Sequence, residues 1–341
     1  MAPEGLQEEL RRFLGRWCGW SLEIEGLRLL SGGASRESWA FDARLRDGEG
    51  GEQLLPLVYR SAASAVGPGF NSLEMEYLVL RAAYLEGVPV PRVYPLLPDP
   101  SQAPQVTMLV MDRVPGETIP RRILRDDAYA EARRRLARQL GEALARIHRI
   151  PLEKHGLQAL PSPPPGCHPA LHQIERWEEL YRLVALDPQP VLELALRWLR
   201  QHLPRQGPLT LVHGDYRMGN LVVGPEGLRA VLDWELAHIG DPVEDLAWAC
   251  IRSWRFGNDH LPAAGLGTRE ELREAYEAAG GPPVDEAAWR FWEAFGNVRW
   301  AVLCVMQARR FAERDPDLYI GLTGRRVAET EWELLHFLEG L

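Results

Sequence analysis

Apolar and polar positions divide the chain into two stretches with different periods. The opening MAPEGLQEELRRFL is amphipathic, and residues 5–20 read as a helix. Residues 27–30 form a short apolar strand that ends at Ser31-Gly32-Gly33-Ala34-Ser35. Residues 37–45 alternate as a strand does, residues 54–59 are a second apolar run, and the glycine-rich 47–51 segment between them reads as a turn. A helix is predicted from Asn71, with Asn71 as N-cap and Glu74 as its capping-box partner. Leu73, Tyr77, Leu80 and Tyr84 carry its 3.6-residue period, and Gly87 ends it. Residues 88–91 are extended, residues 106–111 read as a buried strand, and Pro115-Gly116 stops that strand. These elements predict a small antiparallel sheet with one helix.

The rest of the chain reads as mainly helical. Leu136, Leu140, Leu144 and Ile147 form one apolar stripe, with Arg133, Arg134, Arg135, Arg138 and Arg146 on the other faces of the same helix. The arginines read as a solvated face, with phosphate binding as the competing use. Proline-rich residues 161–166 form a rigid loop, and helices are expected at about 170–184, 188–203, 242–256, 268–279, 284–311 and 325–340. The 341 residues allow about two domains, or two lobes around a shared cleft.

Composition narrows the class. With 46% hydrophobic and 26% charged residues the chain reads as a soluble globular protein. A net charge of −9 argues against nonspecific nucleic-acid binding. Cys18, Cys167, Cys250 and Cys304 form no CxxC pair, so neither a disulfide framework nor a thiolate zinc site is indicated. No secretory signal and no apolar run of membrane-spanning length is visible, so a cytoplasmic location without membrane contact is expected. Of the 39 basic residues only Lys154 is lysine, so any lysine-dependent step must use Lys154 or be done by arginine.

The chemistry concentrates in residues 209–249. An apolar run delivers His213-Gly214-Asp215 into a loop, and a hairpin turning at Gly224-Pro225-Glu226-Gly227 follows. If the turn centres near Glu226, Asn220 and Asp233 face each other at the open end, where paired Cβ atoms lie about 4.5–5.5 Å apart. Such hard oxygen donors suit Mg²⁺ held together with substrate phosphates, and leave Asp215 free to accept a proton. Each residue alone could equally make an Asx-turn. Asp241, Pro242 and Glu244 read as a helix cap, and Asp245 as a carboxylate holding nearby loop amides. His213 reads as a histidine packed behind the loop, with general-base duty as its alternative.

At these residues the chain resembles the aminoglycoside-phosphotransferase and choline-kinase-like superfamily of small-molecule kinases. That family's HGDxxxxN loop is matched by His213 to Asn220, and its metal-binding segment by Leu232-Asp233-Trp234-Glu235, Gly240-Asp241-Pro242 and Asp245-Leu-Ala. LVYRS, VPVPRVY, HGDYRMGNLVV and VLDWELAHIGDP further resemble the kinase domains associated with acyl-CoA dehydrogenases. The resemblance implies an α+β, protein-kinase-like two-lobe fold. Residues 1–111 would form the nucleotide-binding lobe, 112–116 a hinge, and 117–341 the mainly helical catalytic and substrate lobe, with a helical insert at about 165–205.

The resemblance also implies site roles. Gly32, Gly33 and Ser35 would lie over the phosphates, and Met111, Asp112 and Val114 would hold adenine. Arg60 stands where such kinases usually place a lysine, with Glu76 as its partner. Asn220 and Asp233 would bind Mg²⁺, Asp215 would take the acceptor proton, and His213, Asp241 and Asp245 would support them. ATP is the expected co-substrate, with GTP open, and a small-molecule alcohol the acceptor. Residues 251–320 carry nine arginines against eleven acids, too balanced for a polycation pocket, so an aminoglycoside is disfavoured against an acid such as a hydroxyacyl-CoA. Glu235, Arg252, Trp254, Arg255 and Arg299 are the candidate acceptor contacts. A nucleotide-binding pseudokinase is a further alternative.

Overall fold

The computed structural model describes residues 3–18, 21–30, 37–46, 51–61, 70–94, 108–313 and 318–339. Helix α1 (Pro3–Cys18) leads into strands β1 (Ser21–Leu29), β2 (Ser38–Arg46) and β3 (Glu52–Ser61). After helix α2 (Leu73–Leu85), strand β4 (Met108–Asp112) completes an antiparallel sheet of order β1-β2-β3-β4. Strand β1 starts six residues before the run predicted at 27–30. Its first half is mostly exposed and is held by cross-strand ion pairs such as Glu25–Arg44 at 2.7 Å, so no apolar run marks it.

Strand alternation divides the core. Leu57, Tyr59 and Val110 join Leu6, Leu10 and Leu14 of α1 in one cluster, while Leu109 and Met111 pack with Val79, Leu80 and Ala83 of α2 in the other. Val58 packs with this second cluster, so Arg60, two residues on, shares the face covered by α2.

The cap of α2 differs from expectation. Ser72 is the N-cap, its hydroxyl accepting from the Met75 amide at 3.2 Å. Asn71 is buried instead, and its side-chain amide donates to the carbonyls of Ala237 (2.8 Å) and Trp234 (3.4 Å).

Beyond the sheet come helices α3 (Pro120–Arg125), α4 (Ala130–His148), α5 (Pro169–Val184) and α6 (Pro190–Gln201), then the short strands β5 (Thr210–Val212), β6 (Leu221–Gly224), β7 (Gly227–Val231) and β8 (His238–Gly240). Helices α7 (Val243–Cys250), α8 (Arg269–Ala278), α9 (Glu286–Ala312), α10 (Leu318–Thr323) and α11 (Val327–Glu339) follow. The apolar stripe of α4 is buried, while Arg134, Arg135, Arg138 and Arg146 face solvent. Strand β8 pairs with β5, a contact that three-residue strands give no period to announce. Helix α7 ends at Cys250 rather than running to 256, because Ile251 turns extended and returns Trp254 to within 5.3 Å of the Trp248 ring. The connection between sheet and helices is seated on the β6–β7 hairpin. Gly116, at φ 155°, lies where a Cβ would meet Val222 Cγ1 at 2.6 Å, and the Glu117 amide bonds to the Val223 carbonyl at 2.9 Å. No described helix is long and apolar enough to cross a membrane.

Candidate active site

Strand β5 ends at the His213–Asp215 loop. Gly214 takes φ 79°, and a Cβ there would collide with the Leu236 carbonyl. Asp245, in the first turn of α7, accepts from the amides of His213 (2.7 Å) and Gly214 (2.9 Å). His148 Nε2 lies 3.1 Å from the same carboxylate. Burial acts to raise the Asp245 pKa, but these donors outweigh it and hold the group below the usual carboxylate range.

His213 is buried, with both ring nitrogens engaged. Nδ1 accepts from the Asp215 amide at 3.1 Å, and Nε2 donates to the Leu232 carbonyl at 3.0 Å. Those partners require the neutral Nε2–H tautomer, and burial lowers the imidazole pKa to match. A ring so committed positions the loop and has no lone pair for a substrate proton.

The Asp215 carboxylate is met by three donors. Asn220 Nδ2 reaches Oδ2 at 2.6 Å, while Trp248 Nε1 (2.9 Å) and Arg217 Nε (3.0 Å) reach Oδ1. Trp248 and Arg217 escaped sequence reading, although Trp248 stands one helical turn after Asp245 and Arg217 two residues after Asp215.

Asn220 and Asp233 do converge at the open end of the hairpin, but not as a facing pair. The register runs Leu221 opposite Val231, so Asn220 faces Leu232, whose amide it accepts at 2.8 Å. Pairing outward from Gly224–Gly227 alone would leave Asp233 two residues past Asn220; the register shift after Val222 takes back one, and Asp233, one residue beyond the facing position, takes φ 68°. Asn220 Oδ1 makes no hydrogen bond among the described residues, and Asp233 is 31% exposed. Two hard oxygen donors at a partly exposed hairpin end fit Mg²⁺ completed by phosphate oxygens.

Arg60 faces these groups from the sheet. Its guanidinium pairs with Glu76 of α2, donates to Asp233 Oδ1 at 3.2 Å and lies 3.6 Å from Glu235 Oε2. Glu235 therefore belongs to the Arg60 cluster and not to an acceptor pocket. Met111 and Asp112 end β4; the Asp112 amide is spent on the Arg92 carbonyl (2.9 Å), and the Val114 amide makes no bond among the described residues. Gly32, Gly33 and Ser35 lie outside the described residues.

The other acceptor candidates are committed to the protein itself. Arg299 is 2% exposed, lies between the Trp177 and Trp248 rings (5.0 and 4.4 Å), and donates to Glu244 and to the Gly214 carbonyl. A guanidinium so enclosed braces the loop and reaches no acceptor. Trp254 is buried, Arg255 bonds to the Cys250 carbonyl (2.7 Å), and Arg252 pairs with Asp259 and Glu333. Asp241 accepts from the Val243 amide (3.0 Å) and from Trp292 Nε1 (3.0 Å), whereas Glu244 forms no capping box and holds His238 and Arg299. A cavity of about 200 Å³ opens between α5 and α9 beside Leu236, walled by Phe70, Trp177, Leu180, Leu303 and Met306, with Arg176 and Glu179 as its charged residues.

Comparison with known proteins places this arrangement. Acyl-CoA dehydrogenase family member 10 of Mus musculus is 32% identical over 252 residues, covering 69% of this chain and 22% of the mouse protein. Viomycin phosphotransferase of Streptomyces vinaceus is 28% identical over 235 residues, covering 64% of this chain and 69% of that protein. A solved Ralstonia eutropha protein, provisionally described as an aminoglycoside phosphotransferase, superimposes with a TM-score of 0.71 at 26% identity over 97% of both chains. The chain spans only about a fifth to two fifths of the dehydrogenase-named relatives. The model of the phosphotransferase enzyme family matches residues 27–295, so the chain belongs to that family.

Proposed function

We propose that the enzyme transfers the γ-phosphoryl group of ATP to a hydroxyl of a small acid of hydroxyacyl-CoA type. The observation that carries this reading is the meeting of Asp215, Asn220, Asp233 and Arg60 at one end of the β6–β7 hairpin. Arg60, aligned by Glu76, grips the α- and β-phosphates, and its fork suits bidentate contact. Gly32, Gly33 and Ser35 cover the phosphates, Met111 packs on adenine, and the Asp112 carbonyl and Val114 amide bond its edge. Asn220 and Asp233 hold Mg²⁺, which when bound offsets charge on the phosphates. Asp215 orients the acceptor hydroxyl and takes its proton late, as a loose transition state requires.

The cavity beside Leu236 supports the acceptor class. Among the described residues its walls are mostly apolar, with Arg176 as their cation, which suits an aliphatic acid. An antibiotic acceptor, the reading that viomycin phosphotransferase suggests, needs acidic walls if it is a polycation, and among the described lining residues Glu179 is the one carboxylate.

The test is ATP consumption with Mg²⁺ over a panel of hydroxyacyl-CoAs, aminoglycosides and choline. Turnover is expected with the first group and should vanish in Asp215→Asn with Mg·ATP binding retained. Wild-type turnover by that variant would remove Asp215 from its role, and turnover on aminoglycosides alone would overturn the acceptor class. ATP binding without turnover on any acceptor would favour the pseudokinase.

A further inference from the structure

Helix α7 grips the catalytic loop twice from one face. Asp245 holds the loop's backbone, and Trp248, three residues later, donates its indole N–H to Asp215 Oδ1 at 2.9 Å. Trp248 is 1% exposed, and its ring is fixed between the Arg299 guanidinium (4.4 Å) and the Trp254 ring (5.3 Å). Nothing in this packing requires an indole nitrogen. The N–H is spent on one oxygen of one carboxylate.

We infer that Trp248 is the positioning residue that decides which oxygen of Asp215 acts as base. A carboxylate oxygen offers two lone-pair sites. On Oδ1 both are taken, by Trp248 and by Arg217 Nε at 3.0 Å. On Oδ2, among the described residues, Asn220 Nδ2 alone is bonded, at 2.6 Å, which leaves one site on the side of Asn220 for the acceptor. The acceptor proton therefore passes to Oδ2. The hydroxyl oxygen's electron pair forms the new bond to the γ-phosphorus, and the bond from that phosphorus to the bridging oxygen breaks with its pair leaving on the nucleoside diphosphate.

This inference rests on Asp215 being the base, and Asp215→Asn tests that separately: a variant keeping its turnover would sink the base assignment whatever Trp248 does. With Asp215→Asn inactive, Trp248→Phe keeps the ring and drops the N–H. Its kcat should fall by about tenfold or more with KM for ATP within about twofold, since the lost bond acts on the reacting group. Trp248→His, which carries a ring N–H again, should recover part of kcat. A Trp248→Phe enzyme with a wild-type melting temperature and kcat within twofold would overturn the inference. If the phenylalanine variant loses cooperative melting, Trp248→His is judged alone: kcat within about tenfold of wild type with KM for ATP unchanged supports the role, and a larger loss at a wild-type melting temperature overturns it.

Discussion

Arg60 Nη2 and Asp233 Oδ1 lie 3.2 Å apart, which joins the cation of the sheet to the carboxylate that closes the β6–β7 hairpin. Glu76 and Glu235 flank the same guanidinium, so three carboxylates share one cation. Burial opposes the charge of Arg60, but these acids outweigh it and raise its pKa, so it stays charged at any working pH.

The surplus negative charge suits a metal cation, and the proposed function assigns the nucleotide phosphates to Arg60. Arg60→Ala should weaken Mg·ATP binding by about 10- to 100-fold, the scale of one or two charge-assisted bonds. It should also lower stability by up to about 3–5 kcal/mol, because the buried Glu76 loses its ion pair with Arg60. Lys154 is 63% exposed and pairs with Glu86, so Lys154→Ala should leave Kd within about twofold and stability within about 0.5 kcal/mol. Titration calorimetry on both variants checks the contrast, and equal losses would contradict it.

Asp233→Asn keeps the shape of the hairpin end and removes its carboxylate. Activity should then require at least tenfold more Mg²⁺, and the Arg60–Glu76 pair should persist because it does not depend on Asp233. A magnesium titration of turnover measures the shift. An unchanged half-saturation would take Asp233 out of the metal site.

Legibility in the sequence followed distance along the chain. Asp215 and Asn220 share one loop, and Asp233 closes the hairpin that follows, so short spacing was enough to bring the three together on paper. The exact facing of Asn220 and Asp233 was not readable, because the pairing outward from Gly224–Gly227 is offset by a register shift at Arg229 that the spacing does not show. Helix α5, seen at 169–184, differs by one residue from the stripe expected at 170–184. Arg299 read as an acceptor contact because charge normally means exposure. Its burial depends on Trp177, Trp248 and Glu244, which lie between 51 and 122 residues upstream and share no local period with it. Asn71 read as a cap for the same reason, since its partners Trp234 and Ala237 stand more than 160 residues on.

Stability should depend on pH through His213. Burial lowers its folded pKa, although Asp245, Asp215 and Asp233 pull upward. In the unfolded chain an imidazole titrates near about 6.5. Below that value the unfolded state takes up a proton that the folded state refuses, so stability falls as pH drops from about 6.5 toward the folded pKa, and the effect vanishes above it. His172 carries the same sign, so the test isolates His213. Urea unfolding at pH 7.5 and 5.5 should show His213→Gln losing less stability on acidification than wild type, by up to about 1 kcal/mol. Equal acid losses would assign the effect elsewhere.

Asn71 ties the two halves of the proposed nucleotide site. Its backbone N–H bonds to the Glu235 carbonyl (2.7 Å) and its side chain to the Ala237 carbonyl (2.8 Å), while α2, starting two residues later, carries Glu76 to Arg60. Removing the side chain leaves a buried carbonyl without its donor, at about 1–3 kcal/mol. It also loosens α2 from the segment that carries Asp233, so Asn71→Ala should weaken Mg·ATP binding several-fold as well as lower the urea midpoint. Ser72→Ala removes only the cap of α2, at about 1 kcal/mol, and should leave nucleotide affinity alone. The two variants therefore separate helix stability from helix placement. If Ser72→Ala weakened Mg·ATP binding as much as Asn71→Ala, placement of α2 by Asn71 would be ruled out, and simple fraying of the helix would account for both.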